Sequence, residues 1–119
     1  MPNFIRYSMD SKIIKGSLTA IILKLLEDNS RMYGYEMTKA VKERSKDKMQ
    51  LTEAALYPAL HKLVEEGLLD TTTEMVEGRM RKYYSLTKKG KKETDIKIEA
   101  LKNALESLHN ILNPNIANG

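Results

Sequence analysis

The 119 residues contain no cysteine. That excludes disulfide bonds and thiol chemistry, and it fits a cytoplasmic protein. Only two histidines occur, His61 and His109, far apart in the chain. With no cysteine beside them they form neither a nucleophile–base pair nor a metal-binding cluster. Glu65 and Glu66 are successive on a helical pattern, so they point about 100° apart and do not converge. An enzyme is therefore not expected, nor a catalytic residue, cofactor or metal. No apolar run approaches the roughly 20 residues that a membrane span needs. The first ten residues, MPNFIRYSMD, lack the apolar stretch of a secretory signal, so no membrane role is expected either.

What is present suits one domain with a modest core. Charged residues make up 30% and hydrophobic ones 41%, the balance of a soluble fold. The net charge of +4 is compatible with a nucleic-acid partner without requiring one. Seven methionines are spread along the chain and read as core filler.

The most informative stretch is LTEAALYPALHKLVEEGLL, residues 51–69. Thr52 can cap a helix and Glu53 suits its first turn. Leu56, Ala59, Leu60, Leu63 and Val64 recur at helical spacing, and Gly67 closes the helix where a left-handed residue is wanted. Before it lie two further helical patterns. One spans Ser11 to about Glu27, capped at Ser11 or Ser17, with a broad apolar face that includes Leu18. That face is wider than a small core needs, so part of it is expected to meet another subunit. The other spans Tyr35–Arg44, with Gly34 giving a tight start, and a polar connection over 45–50 carries Lys46 and Lys48. After Gly67 the period becomes two. Two strands, about 69–75 and 79–86, flank a turn at Val76-Glu77-Gly78 and make a hairpin of irregular tip. Thr87 then caps a long helix from Lys88 toward Leu112. Ile98, Leu101, Leu105, Leu108 and Leu112 step three and four residues along it as a heptad seam, which a symmetric partner chain would bury.

Three helices, a hairpin and a long helix are the order of a winged helix-turn-helix followed by a dimerisation helix. The fold class is mainly α with a small β-hairpin. Residues 1–10 are an N-terminal arm, 11–87 the DNA-binding domain, 88–112 the dimerisation helix and 113–119 a flexible tail. In this architecture the third helix enters the major groove and the wing touches backbone or minor groove. The charge pattern supports that use. Arg79, Arg81, Lys82, Lys88, Lys89, Lys91 and Lys92 lie in one 14-residue run without an acid. Lys88 and Lys89 sit at a helix start, where the dipole disfavours cations unless an anion docks there. A solvated lysine-rich face is the plainer reading of the same run.

On the third helix, Thr52, Tyr57, His61 and Lys62 are the polar side chains able to reach DNA. For His61 and Lys62 the plain alternative is an exposed helix surface, and for Tyr57 it is packing. Tyr83 and Arg81 share the outward face of the wing with Arg79 and Lys82 nearby, whereas Tyr84 is core. Tyr33 and Tyr35 either close the core or touch backbone. A winged helix serving as a protein-interaction adaptor, without specific DNA binding, is the alternative function.

The segments KGSLTAIILKLL, YGYEMTKAV, LTEAALYPALHKLVEEGLL and RKYYSLTKKGKK, in this order over about residues 15–92, resemble the signature stretches of the PadR family of bacterial transcriptional regulators. The single C-terminal helix is similar to the short-tailed branch. The resemblance implies a winged-helix homodimer, usually a repressor on double-stranded DNA carrying a pseudo-palindromic operator. Several members release DNA on binding a small aromatic or drug-like effector. The family usually has Gly and often Thr where this chain has Ala54 and Ala55, so a hydroxyl is missing from the third helix. No tryptophan is present to match the aromatic ligand platform of some drug-responsive members.

Overall fold

The structure, a computed structural model, describes the backbone of residues 2–117 and the side-chain surroundings of residues 12–115. In chain order the elements are α1 Pro2–Asp28, β1 Met32–Tyr33, α2 Gly34–Arg44, α3 Glu53–Glu65, β2 Leu69–Val76, β3 Arg79–Leu86, α4 Lys88–Leu112 and α5 Pro114–Ala117. The sheet is antiparallel with β3 in the middle, in the order β1-β3-β2. This is the winged helix-turn-helix expected from the sequence, with one strand added.

Two helix bounds differ from those expected. α1 is helical from Pro2, so neither Ser11 nor Ser17 begins it. Proline at the first helical position costs no backbone bond and presets φ, and no glycine or proline follows until Gly16. The tail is not wholly irregular either. Pro114 opens the short helix α5 by the same device, while residues 118 and 119 lie outside the described residues.

The core lies where α1, α2 and α3 meet the inner face of the sheet. Ile22, Leu23, Met37, Leu56 and Leu60 have no exposed surface. Tyr84 joins them from β3, as its alternation with outward Tyr83 requires. Leu18 is also core, only 5% exposed, and its side chain is not available to a partner. Along α4 the apolar seam divides. Ile98 and Leu101 are partly covered and line, with Ile21, Leu25 and Val41, a cavity between α1, α2 and α4. Leu105, Leu108 and Leu112 are 53%, 55% and 78% exposed.

The corner that joins α3, the wing and α4 is closely tied. Gly67 has a φ of 77°. Its N–H donates to Val64 O and that of Leu68 to Leu63 O, the double bond pattern of a left-handed helix stop. The Thr87 hydroxyl donates to Gly67 O at 2.6 Å and accepts from Gly90 N at 2.9 Å. Gly90 lies against Leu68, whose carbonyl a side chain at that position would strike. The buried Thr94 hydroxyl donates back to Gly90 O at 2.8 Å, so no polar atom is stranded there.

Candidate nucleic-acid interface

Helix α3 is capped by Thr52, whose hydroxyl accepts from Ala55 N at 3.2 Å. Its outward face presents Glu53, Ala54, Tyr57, Pro58, His61, Lys62 and Glu65. Tyr57 is 45% exposed, and its ring lies across Gly34 at the start of α2. A Cβ on Gly34 would come within 2.5 Å of the Tyr57 hydroxyl oxygen. A side chain at position 34 would therefore have to push the Tyr57 ring aside. Burial, and then the charge of Glu53, push the Tyr57 hydroxyl above its ordinary value, so it remains a neutral donor. His61 Nε2 is 2.8 Å from Glu65 Oε1, with both side chains exposed. Between Thr52 and Glu66 three acids face one lysine. This helix is therefore poor in cations for a phosphate backbone.

Cations flank it instead. A cleft between α2 and α3 is lined by Tyr35, Thr38, Lys39, Lys42, Thr52 and Glu53 among others. Lys46 and Lys48 stand exposed in the adjoining turn. The Ser45 hydroxyl accepts there from Met49 N at 2.9 Å. Lys46 and Asp47 hold φ of 55° and 64°, a conformation that L residues adopt at a cost. The lysines of α2 are additions to the sequence reading. Their spacing of three on a half-exposed helix carries no signal of its own.

The wing is regular. Eight residues pair on each side and only Glu77 and Gly78 turn the corner. Both have positive φ, 50° and 79°, which gives the two-residue turn that suits the twist of a hairpin. The irregular tip expected from the sequence is thus a tight one. On the outer face Tyr83 of β3 stands beside Tyr33 of β1, with ring centroids 5.6 Å apart and edge to face. Tyr35 stacks on Tyr33 at 6.3 Å. The Arg81 guanidinium lies 4.1 Å from the centre of the Tyr33 ring, and that of Arg31 lies 4.0 Å from the centre of Tyr83. Arg31 also grips the Glu74 carboxylate with two bonds, of 2.6 and 3.1 Å. Arg79 is exposed near the tip, and Lys82 is on the opposite face.

The basic run from Arg79 to Lys92 is not one patch. Arg79 is at the tip of the wing, whereas Lys88 and Lys89 stand at its root. Seven strand steps separate tip from root, about 24 Å. Lys88 is exposed. Lys89 instead donates to Glu66 O at 3.0 Å and so caps the end of α3. A lysine at a helix C-terminus is placed where the dipole favours it. Lys89, exposed like Lys88, thus has an intramolecular partner that its place in the basic run did not suggest.

Among the described residues no group of His, Cys, Asp or Glu could hold a metal. Among the same residues no helix is long and apolar enough to cross a membrane.

The architecture defines a class, the winged helix-turn-helix regulators. Within it, the description Transcriptional regulator PadR-like family matches residues 22–96. The chain belongs to that family. An uncharacterized protein, X, of Lysinibacillus sphaericus is 35% identical over 82 residues, 68% of this chain and 74% of that one. A transcriptional regulator from Clostridium thermocellum superposes with a TM-score of 0.74 at 28% identity, over 83% of this chain and 96% of that chain. A PadR-like transcriptional regulator from Bacillus cereus does so at 0.70 and 26%, over 87% and 98%.

Proposed function

We propose that this PadR-family protein is a homodimeric, sequence-specific DNA-binding repressor. What carries the reading is the placement of cations on both sides of an exposed α3: Lys39, Lys42, Lys46 and Lys48 toward its start, and Arg79, Arg81 and Lys82 on the wing. The helix itself offers Thr52, Tyr57, His61 and Lys62. With Ala54 and Ala55 beside them it supplies groove fit and modest discrimination, while the flanks supply affinity. The exposed Leu105, Leu108 and Leu112 of α4 support the homodimer, which would read a pseudo-palindromic operator with half-sites about 34–36 Å apart. Release by a small aromatic effector is part of the proposal. The cavity between α1, α2 and α4, about 340 Å³ with Ile21, Leu25, Met49 and Ile98 in its lining, is of ligand size and largely apolar.

The test is binding to the DNA upstream of its own gene and to random duplex, over a range of salt. Affinity should fall steeply, each neutralised phosphate adding about 0.9 to the log–log slope, with the upstream duplex preferred. Equal binding to both duplexes, or a flat salt response, would overturn the reading. Small aromatic compounds added to the complex should release it.

A further inference from the structure

On the outer face of the wing, Arg31 and Arg81 have one strand carboxylate between them, Glu74, with Arg79 nearer the tip. Glu74 stands directly opposite Arg81 in the pairing of β2 with β3. Directly opposite residues of antiparallel strands share a face at about 4.5–5.5 Å between Cβ atoms, where unlike charges pair. Glu74 is therefore the natural partner of Arg81. It is held instead by Arg31, 43 residues earlier in the chain. Arg31 precedes β1, at the far edge of the sheet from β2. It reaches Glu74 by lying across Tyr83 of the middle strand. Both carboxylate oxygens are taken. Arg81 is left over the ring of Tyr33 with no ion pair among the described residues.

We propose that Arg31 is a positioning residue for DNA binding that acts by sequestering Glu74, so that Arg81 remains an unneutralised guanidinium for a DNA phosphate. The stack on Tyr33 fixes the plane of Arg81 without consuming its charge, and a guanidinium so held loses little freedom when it meets a phosphate. Without Arg31, Glu74 turns to Arg81 and the wing loses one phosphate contact. This rests on the DNA-binding reading, and the experiment separates the two.

Duplex affinity is measured for the wild type and for Arg81→Ala, Arg31→Met, Glu74→Gln and the double variant Arg31→Met/Glu74→Gln. Arg31→Met should weaken binding about as much as Arg81→Ala, roughly tenfold, with the salt slope reduced by about 0.9. Glu74→Gln should bind at least as well as the wild type, and the double variant should return to that level. Arg31→Lys, which keeps the charge, should hold near-wild-type affinity. If Arg31 merely braced the wing, Glu74→Gln would weaken binding as Arg31→Met does and the double variant would stay weak. Either outcome overturns the proposal.

A second readout needs no DNA. In Arg31→Met, nuclear magnetic resonance titration should find the Glu74 carboxyl still depressed, now by Arg81. It should return to its ordinary range only in Arg31→Met/Arg81→Ala. A return in Arg31→Met alone overturns the proposal even if no variant binds DNA, whereas failure of the wild type to bind any duplex overturns the repressor reading by itself.

Discussion

Lys46 occupies the position just past the end of α2 where glycine is most at ease. Its φ is 55°, its N–H donates to Glu43 O, and the next N–H, of Asp47, donates to Lys42 O. A left-handed L residue costs about 1–2 kcal/mol, part of which glycine would recover after its own entropic penalty. Lys46→Gly should therefore raise stability by about 0.5 kcal/mol, seen as a melting temperature higher by about 1–3 °C. The same change should weaken duplex binding and lower the salt slope by about 0.9. Higher stability with unchanged affinity would remove Lys46 from the interface. At this scale the sequence was legible wherever chemistry is local. Thr52 and Thr87 accept from N–H groups three residues on, and Gly67 and Gly78 have positive φ, as the residue types suggest. Arg31 and Lys89 were not legible, because their partners stand 43 and 23 residues away and nothing in their neighbours marks them.

Among the elements, the wing carries a pH dependence. Hydrogen bonding to Arg31 is the main cause that lowers the Glu74 carboxyl from its ordinary 4.5. A depressed carboxyl stabilises the fold above the unfolded value and ceases to do so as pH falls through the folded one. The Arg31–Glu74 contact should thus be intact above pH 4.5 and should be lost in more acid solution, with hydrogen-exchange protection in β2 falling over the same interval. Both side chains are exposed, so salt should weaken the effect. The long helix gives a separate prediction. Leu105→Lys with Leu108→Lys should leave the protomer folded, since both positions are half-exposed, and should yield a monomer in sedimentation. An unchanged mass would sink the dimer. Ile98 and Leu101, from the same heptad seam, are poorer probes because they face the chain's own α1 side. The period of α4 marked an apolar stripe, but it did not say which half another element of the same chain would cover. β1 escaped the sequence reading for a related reason. Two residues, Met32 and Tyr33, become a strand only because Tyr83 and Tyr84 arrive beside them.

For the whole molecule, shape and charge agree. The radius of gyration is 16.2 Å, against about 13.5 Å for a globular domain of this length. The excess is what a protomer with a partly unpartnered long helix should show, and it accords with a proposed dimer joined through α4. Charge is distributed so that the acids of α3 lie between basic flanks, which the net charge of +4 conceals.

The fastening at the foot of α4 has a mechanical consequence for such a dimer. Gly90, wedged against Leu68, fixes the foot, and Ile98 and Leu101 hold the helix on the α1 side. Beyond Leu101 it is a lever: to Leu112 are 11 helical rises, about 16 Å. Each degree of bend there moves the far end by about 0.3 Å, and about twelve degrees shift it by one base-pair step, 3.4 Å. In the proposed dimer, the bonds among Glu66, Gly67, Leu68, Thr87 and Lys89 and the packing on α1 would together set the tolerance to which the two α3 helices are spaced. A loosened foot would then blur the distance between the proposed half-sites while leaving the outward face of α3 unchanged.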